Sequence, residues 1–150
     1  MKKPEWICKK FDTLTVKELY DIMKLRSEVF VVEQHCIYLD ADYKDLNAYH
    51  LFTYIDDSIA AYARLLPPNI SYLQASIGRV LTELSQRKKG LGILLMQEAI
   101  KQTKQLYNTS AIKIGAQLYL KKFYEELGFS QTSNIYDEDG IPHIEMEIIK

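Results

Sequence analysis

The first third of the chain shows two hydrophobic patterns and then loses both. Residues 5–11 mix apolar and polar side chains over a short stretch, which is typical of a strand at the edge of a sheet. Thr15 and Glu18 have the spacing of a capping box, and apolar residues then recur at helical spacing towards Glu33. We therefore predict a helix that begins after Thr15. Residues 34–48 follow no period, so we predict a long loop of the kind that often borders a functional site.

The middle of the chain predicts three strands, a helix and a fourth strand. Two apolar runs, residues 49–55 and 59–66, flank a short polar turn and predict a β-hairpin. Residues 75–82 predict the next strand. After a polar, glycine-containing break, apolar residues recur at helical spacing over 93–106. The short apolar run 111–116 is typical of a buried strand.

The last third predicts a short helix and a second hairpin. Apolar positions over 120–127 have helical spacing, and Gly128 is a suitable helix end. Residues 129–136 and 141–148 alternate around a turn in which Asp139-Gly140 is a strong hairpin signal. The whole order of elements combines antiparallel hairpins with strand–helix–strand crossovers. We predict an α/β fold with a mixed, mostly antiparallel central sheet flanked by helices.

Length, charge and cysteine content narrow the class of protein. A chain of 150 residues matches one domain, residues 1–150, and 47% hydrophobic residues suffice for a core without metals or disulfides. The net charge of -1 provides no field for holding a polyanion, so we expect no nucleic-acid partner. Cys8 and Cys36 are too few for a disulfide framework, and we see no apolar signal segment or run of the ~20 residues that a membrane span needs. We expect a cytoplasmic protein without a membrane partner.

A basic turn between a predicted strand and a predicted helix carries the most chemical information. Residues 86–94 read Gln-Arg-Lys-Lys-Gly-Leu-Gly-Ile-Leu. The first amides of a helix lack internal partners and lie at the positive end of its dipole, so this turn suits a phosphate. Arg87, Lys88 and Lys89 favour that interpretation, because cations at a helix N-terminus are unfavourable unless an anion lies between them and the amides. The alternative is an ordinary solvated turn in which Gly90 simply starts the helix.

Two common nucleotide motifs do not fit this turn. The P-loop requires Gly-Lys-Ser/Thr, and the dinucleotide fingerprint requires a third glycine where Leu95 stands. Arg87-Lys88-Lys89-Gly90-Leu91-Gly92 instead resembles R/Q-x-x-G-x-G/A, the pyrophosphate-binding motif of the GNAT superfamily of N-acetyltransferases. Residues 123–129, Phe-Tyr-Glu-Glu-Leu-Gly-Phe, resemble the F-Y-x-x-x-G-F signature of the same superfamily. Three further stretches are similar to its ElaA-type branch: 25–34, 115–117 and 138–144.

The resemblance implies how acetyl-CoA is bound as a co-substrate. It implies that strand backbone after residue 79 contacts the acetyl group and the pantetheine arm, and that amides of the basic turn hold the pyrophosphate. Gln117 departs from the superfamily, which often has an Asn there that contacts the coenzyme arm; Leu84 stands where many members have proline. The implied cofactor-binding residues are Val80, Leu81, Thr82, Arg87, Lys88, Lys89, Gly90, Leu91, Gly92, Ile93 and Gln117.

Tyr124 is the candidate acid for acetyl transfer. The departing thiolate needs a proton or hydrogen-bond donor, and a tyrosine hydroxyl with a pKa near ~10 is protonated at pH 7. Tyr124 also belongs to an apolar stripe at helical spacing, so a purely structural role is the alternative. The resemblance to the superfamily motif favours the catalytic role.

His143 is the candidate base on the substrate side. His143 and Glu145 alternate with apolar residues, so their side chains share one face of the last predicted strand. If that face borders the substrate, either group can orient an amine or relay its proton. A histidine exposed on the surface beside two glutamates is the alternative. Glu83, which follows the strand at 75–82, ranks below His143 as a base.

Other charged residues along the chain favour structural roles and no metal. Glu28 and Glu33 are typical of a solvated helix face, and Arg26 is typical of a structural ion pair. The aspartates at 40, 42 and 45 do not match a calcium loop, because Lys44 occupies a ligand position. The spacing of the histidines and cysteines matches no zinc site.

Taken with the resemblance, the sequence predicts an N-acetyltransferase. An amine of the acceptor would attack acetyl-CoA directly in a ternary complex, and the acceptor would reach it between the 34–48 loop and the 137–142 turn. The alternatives are a non-catalytic acyl-CoA sensor or scaffold and, less well supported, a small phosphate-binding interaction domain. The partner is a small-molecule or peptide amine. The sequence leaves the identity of the acceptor and the oligomeric state open.

Overall fold

Eight strands form one mixed sheet in the computed structural model of the chain, which describes residues 3–149. The strands are β1 (Ile7–Lys10), β2 (Tyr49–Ile55), β3 (Ser58–Leu66), β4 (Ala75–Thr82), β5 (Ile112–Gln117), β6 (Ser130–Gln131), β7 (Tyr136–Glu138) and β8 (Ile141–Ile148). The helices are α1 (Val16–Arg26), α2 (Leu91–Leu106) and α3 (Lys121–Glu126). The strand order is β1-β2-β3-β4-β5-β8-β6, with β7 paired to β8. Neighbouring strands are antiparallel except for β4 and β5, so the predicted sheet is confirmed.

α1 begins where the capping box predicts. The Glu18 amide donates to Thr15 Oγ1 at 3.0 Å, and the Thr15 amide donates to Glu18 Oε1 at 2.8 Å. After Arg26 the helix widens into a π-helical segment, Ser27–Glu33. A π segment rotates the side chains that follow it, and this one leads directly into the 34–48 loop. The predicted helix is therefore one continuous helix, and its last part is π-helical instead of α-helical.

Two apolar layers cover opposite faces of the sheet. Alternate residues of β3 point to opposite faces, so Ala61, Ala63 and Leu65 pack with α2 in one core cluster. Tyr62 points the other way and packs with residues of α1 in a second cluster. α3 joins the α2 side through Tyr124. The helices therefore flank the sheet as predicted.

A β-bulge interrupts the pairing of β3 with β4. Tyr62 pairs with Leu81, whereas Arg64 pairs with Gly78, so β4 has one extra residue between the two pairs. Arg79 lies in this bulge with a φ of 51°, in the left-handed region. The extra residue reverses the alternation of β4: Ile77 packs on the α2 side and Leu81 on the α1 side. The bulge therefore redirects the second half of the strand.

β4 and β5 separate soon after they meet. Ladder pairs join Ala75 to Ile112 and Ser76 to Lys113, and no further pair joins the two strands within residues 3–149. β4 nevertheless continues to Thr82, and β5 continues to Gln117. Backbone groups along the facing edges beyond Ser76 thus have no strand partner. The sheet opens into a gap at its centre.

The last hairpin differs from its prediction in one arm. β8 has the predicted bounds and the turn is formed by Asp139 and Gly140, with φ angles of 52° and 80°. The arm predicted over 129–136 is split into β6 and β7, because the polar residues between them leave the ladder. The Ser133 hydroxyl instead accepts the Glu145 amide at 2.8 Å.

Within residues 3–149, no helix is both long and apolar enough to cross a membrane.

Candidate active site

A cavity of about 570 Å³ fills the gap between β4 and β5. This volume lies in the range of small-molecule pockets. The walls come from the two diverging strands, the π-helical segment, the start of α2, α3 and the β7–β8 hairpin. Among the residues singled out from the sequence, the cavity is lined by Val80, Leu81, Thr82, Arg87, Gly92, Gln117, Tyr124 and His143. Those residues are far apart in sequence, and the fold brings them to one place.

The basic turn reaches this cavity at its two ends: Arg87 and Gly92 belong to the lining, whereas the residues between them do not. Gly90 precedes α2 with a φ of 81°, a backbone conformation that favours glycine. The first amides of α2, like those of any helix, have no intrahelical partner, and Gly90 has no side chain to cap them. Lys88 and Lys89 are exposed at the rim, and Ile93 is 46% exposed. Leu91 is buried in the core, so its backbone, and not its side chain, is available at the turn.

Arg87 differs from the two lysines that follow it. Its guanidinium donates to both carboxylate oxygens of Glu33, at 2.5 and 3.0 Å, and to the Thr82 carbonyl at 3.1 and 3.2 Å. Glu33, expected to be a solvated helix-face residue, therefore pairs across the cavity mouth. The pair ties the end of the π-helical segment to the end of β4, and the exposed cations of the turn are Lys88 and Lys89.

Tyr124 projects from α3 into the floor of the cavity. The ring is 6% exposed and packs edge-on against Phe123 and Phe129, with centroids 5.1 and 5.9 Å away. Burial, with a smaller contribution from Tyr119, raises the pKa of the Tyr124 hydroxyl. The hydroxyl therefore stays protonated at neutral pH and is a hydrogen-bond donor. Tyr124 therefore belongs to the apolar core and also lines the cavity.

His143 lies on β8 at the opposite wall. The His143 ring is 6% exposed, with Nδ1 2.7 Å from the Ile141 carbonyl oxygen and Nε2 3.4 Å from Glu138 Oε2. Glu145 shares this face of β8, as the alternation predicts, but its carboxylate pairs with Lys113 Nζ at 2.9 Å. His143 and Glu145 therefore share a strand face, but of the two only His143 lines the cavity.

Glu83 and Gln117 have different surroundings. The Glu83 carboxylate accepts from the Ser85 amide at 2.9 Å, and it borders a second cleft between α1 and the β2–β3 turn instead of the central cavity. Gln117 lines the central cavity, and its amide nitrogen is 3.4 Å from Gln34 Oε1. Its contact with a coenzyme arm remains a prediction.

Ion pairs anchor the predicted 34–48 loop. The buried Arg26 donates to Asp40 Oδ2 at 2.9 Å and to Asp45 Oδ1 at 2.7 Å, so it has the structural role expected of it. From the bulge of β4, Arg79 donates to Asp40 Oδ1 at 2.8 Å. Arg64 completes the cluster by donating to Asp42. Salt bridges therefore occupy the aspartates that superficially suggest a calcium loop.

Many lining residues were not assigned to the site from the sequence, among them Gln34, Cys36, Tyr38, Arg79 and Glu138. Three of them lie in the aperiodic loop, whose placement beside the site was predicted without individual residues. The bulge residue Arg79 gave no signal in the hydrophobic pattern of β4. Among residues 3–149, no group of three or more His, Cys, Asp or Glu side chains is arranged to hold a metal ion.

Comparisons with known proteins identify the family. A family model described as an acetyltransferase (GNAT) domain matches residues 18–150. Protein ElaA of Escherichia coli is 36% identical over 95% of this chain and 94% of its own length. Its crystal structure has a TM-score of 0.91 at 34% identity, covering 97% of this chain and 99% of that chain. The crystal structure of an acyl-CoA N-acyltransferase from Pseudomonas aeruginosa also has a TM-score of 0.91, at 40% identity and the same coverage. The resemblance is confirmed: the chain belongs to the GNAT acetyltransferase family, in its ElaA-type branch.

Proposed function

We propose that the protein transfers an acetyl group from acetyl-CoA to the amine of an acceptor, by direct attack in a ternary complex. The observation that carries this proposal is the gap between β4 and β5, which opens beside the uncapped start of α2. A coenzyme with an extended arm and a pyrophosphate matches an open strand edge that ends at an anion-binding turn. Membership of an acetyltransferase family supports the same assignment.

Backbone groups supply most of the coenzyme contacts in this proposal. Amides from Lys88 to Ile93 hold the pyrophosphate, and the exposed Lys88 and Lys89 add positive charge. The edge of β4 at Val80, Leu81 and Thr82 receives the pantetheine arm, since its backbone has no partner strand on that side. An amide near Leu81 then donates to the thioester oxygen and stabilises the oxyanion.

Tyr124 assists the departing thiolate. Burial raises the pKa of its hydroxyl above the usual ~10 for tyrosine, while a thiol ionises near ~8.5. Complete proton transfer from tyrosine to thiolate is therefore uphill. A hydrogen bond that strengthens as charge develops on sulfur is the better description of its role.

His143 takes the proton of the attacking amine. It lines the cavity together with residues of the 34–48 loop and the 137–142 turn, between which the acceptor would approach. A carbonyl oxygen fixes Nδ1, so the proton is taken up at Nε2, which lies beside the Glu138 carboxylate. Cys8 and Cys36 are both free thiols, which supports a reducing compartment such as the cytoplasm.

An amine panel with acetyl-CoA tests the proposal. Free thiol and product mass are followed together, so that hydrolysis of the thioester is distinguished from transfer. We expect thiol release that depends on one class of amine. The product should be about 42 Da heavier than that amine, because an acetyl group replaces a hydrogen. Tight binding of acetyl-CoA without release on any amine would favour the sensor or scaffold.

A further inference from the structure

Glu138 and His143 face each other at the end of the cavity where the amine substrate approaches. Each presents a side-chain atom that can accept a hydrogen bond. They lie on the two arms of the β7–β8 hairpin, and Glu138 Oε2 is 3.4 Å from His143 Nε2. The His143 side chain is 8% exposed, whereas the Glu138 side chain is 57% exposed. The histidine is therefore a fixed wall, and the carboxylate faces the mouth.

The Ile141 carbonyl determines the tautomer of His143. A carbonyl oxygen only accepts, so Nδ1, 2.7 Å away, carries the ring hydrogen. In the neutral ring, Nε2 then presents its lone pair towards the Glu138 carboxylate. In this tautomer two hydrogen-bond acceptors face each other 3.4 Å apart, so a proton or a hydrogen-bond donor placed between them is favourable. A primary ammonium, with several N–H groups, can donate to both.

The charges around the cavity mouth favour an acceptor that is a cation and that carries no carboxylate near its own amine. The arginines of the lining are already paired: Arg79 with Asp40, and Arg87 with Glu33. Glu138 and Asp139 add two carboxylates on the hairpin. An acceptor that carries its own carboxylate beside the amine would meet these negative groups without a free arginine to balance it.

We propose that Glu138 Oε2 and His143 Nε2 form the binding site for the acceptor's ammonium group, and that the acceptor is a primary alkylamine with no carboxylate near its nitrogen. This inference rests on the proposed transferase function. Glu138 positions the ammonium by a charge-assisted hydrogen bond. Asp139 extends the negative mouth that selects against anionic acceptors.

The proton balance of the reaction follows from this arrangement. His143 Nε2 accepts one proton from the ammonium, and the neutral amine forms a bond to the thioester carbon. The C–S bond breaks, and the electron pair leaves on sulfur. A second proton from nitrogen reaches the thiolate, which is stabilised by Tyr124, and the proton on His143 passes to solvent. The products are the amide, the free coenzyme thiol and one proton.

Glu138→Gln in the full-length protein, with Glu126→Gln as a control, tests the assignment. Glutamine keeps the size of the side chain and removes its charge; Glu126 is exposed on α3 and lies outside the cavity lining. The substrates are propylamine and β-alanine, which differ by a methyl against a carboxylate. We expect Glu138→Gln to raise the KM for propylamine roughly three- to tenfold, with a smaller change in kcat. We also expect wild type to prefer propylamine, and the variant to prefer it less.

Histidine NMR gives a second readout that does not require turnover. The ring signals of His143 are assigned by their loss in His143→Gln, and propylamine is added without acetyl-CoA. We expect these signals to shift in wild type and in Glu126→Gln, and to shift much less in Glu138→Gln. Turnover with an unchanged KM and unchanged NMR response in Glu138→Gln would overturn the ammonium site. An NMR response without transfer would sustain that site and overturn the proposed function instead.

Discussion

Single side chains in this protein combine structural and chemical roles. Tyr124 is the clearest case, because its ring packs against Phe123 and Phe129 and the same residue lines the cavity. Sequence spacing detects the packing role, and the motif resemblance indicates the catalytic one. The two roles do not compete, since the ring and the hydroxyl use different parts of the side chain.

Tyr124→Phe separates these roles. Phenylalanine preserves the packed ring and removes the donor to the thiolate, so we expect turnover to fall roughly 10²-fold, the loss typical of one such donor. Acetyl-CoA affinity and the thermal midpoint should stay close to wild type. Steady-state kinetics with an amine whose chemical step limits the rate, together with calorimetric titration of acetyl-CoA, measures both. Unaltered turnover would leave Tyr124 with its packing role alone.

His50 gives a pH dependence of stability. It is fully buried, with Nε2 2.9 Å from the Asp45 carbonyl and Nδ1 2.7 Å from the Tyr62 hydroxyl. Burial lowers the pKa of His50 below the 6.5 of an unfolded chain. The unfolded state therefore binds a proton first as pH falls below about 6.5, and the free energy of unfolding decreases by at most about 1.4 kcal/mol per pH unit.

Urea unfolding between pH 7.5 and 5 measures this effect. His50→Gln should be less stable than wild type at pH 7.5, because it loses a fitted pair of hydrogen bonds, but its stability should vary less with pH. If the free energy of unfolding changed equally with pH in wild type and in His50→Gln, His50 would not be the group that makes stability sensitive to acid in this range.

Among the helices and strands, the sequence predicts features that depend on local residue spacing. It does not predict features that depend on partners distant in sequence. The capping box, the Asp139-Gly140 turn and the bounds of β4 all follow from local spacing. The bulge in β4 does not, since a left-handed Arg79 is held by an ion pair with Asp40, which is 39 residues away. The split of the last hairpin has the same origin, because Ser133 bonds the backbone of another strand.

Asp40→Asn tests the energetic weight of the arginine–aspartate cluster. Asp40 joins the buried Arg26 of α1 to Arg79 in the β4 bulge. Removing its charge leaves a buried guanidinium with less compensation, so we expect the free energy of unfolding to fall by about 3 kcal/mol or more. Glu28→Gln, which removes an exposed partner of Lys24, should leave the free energy of unfolding nearly unchanged. Urea midpoints and slopes compare the two, and similar losses would contradict the account.

Gly90→Val tests the start of α2. A β-branched residue is strained at a φ of 81°, although space for its Cβ is open, so the backbone of the turn must change. We expect the rise in thermal midpoint on adding acetyl-CoA to disappear. Gly140→Val is the matched control, because Gly140 has a φ of 80° and equally open surroundings in the hairpin turn. That variant should lose stability but retain the shift with acetyl-CoA.

At the scale of the molecule, one departure from regular pairing creates the candidate site. β4 and β5 meet at two residue pairs and then separate, and elements from both ends of the chain close the resulting gap. The family resemblance anticipates the cleft and the basic rim. It does not anticipate the Arg87–Glu33 pair, which joins segments 54 residues apart across the mouth, or the Glu138–His143 pair, which depends on how the side chains of the β7–β8 hairpin are turned towards each other.

The proposed function requires that an acyl-CoA lies in the gap with its pyrophosphate at the start of α2. Hydrogen–deuterium exchange with and without acetyl-CoA tests this most directly, because the coenzyme should cover backbone amides that have no partner. We expect slower exchange over residues 80–82 and 88–93, with little change in β1 and β2. Unchanged exchange in those two segments at saturating acetyl-CoA, or protection confined to another region, would contradict it.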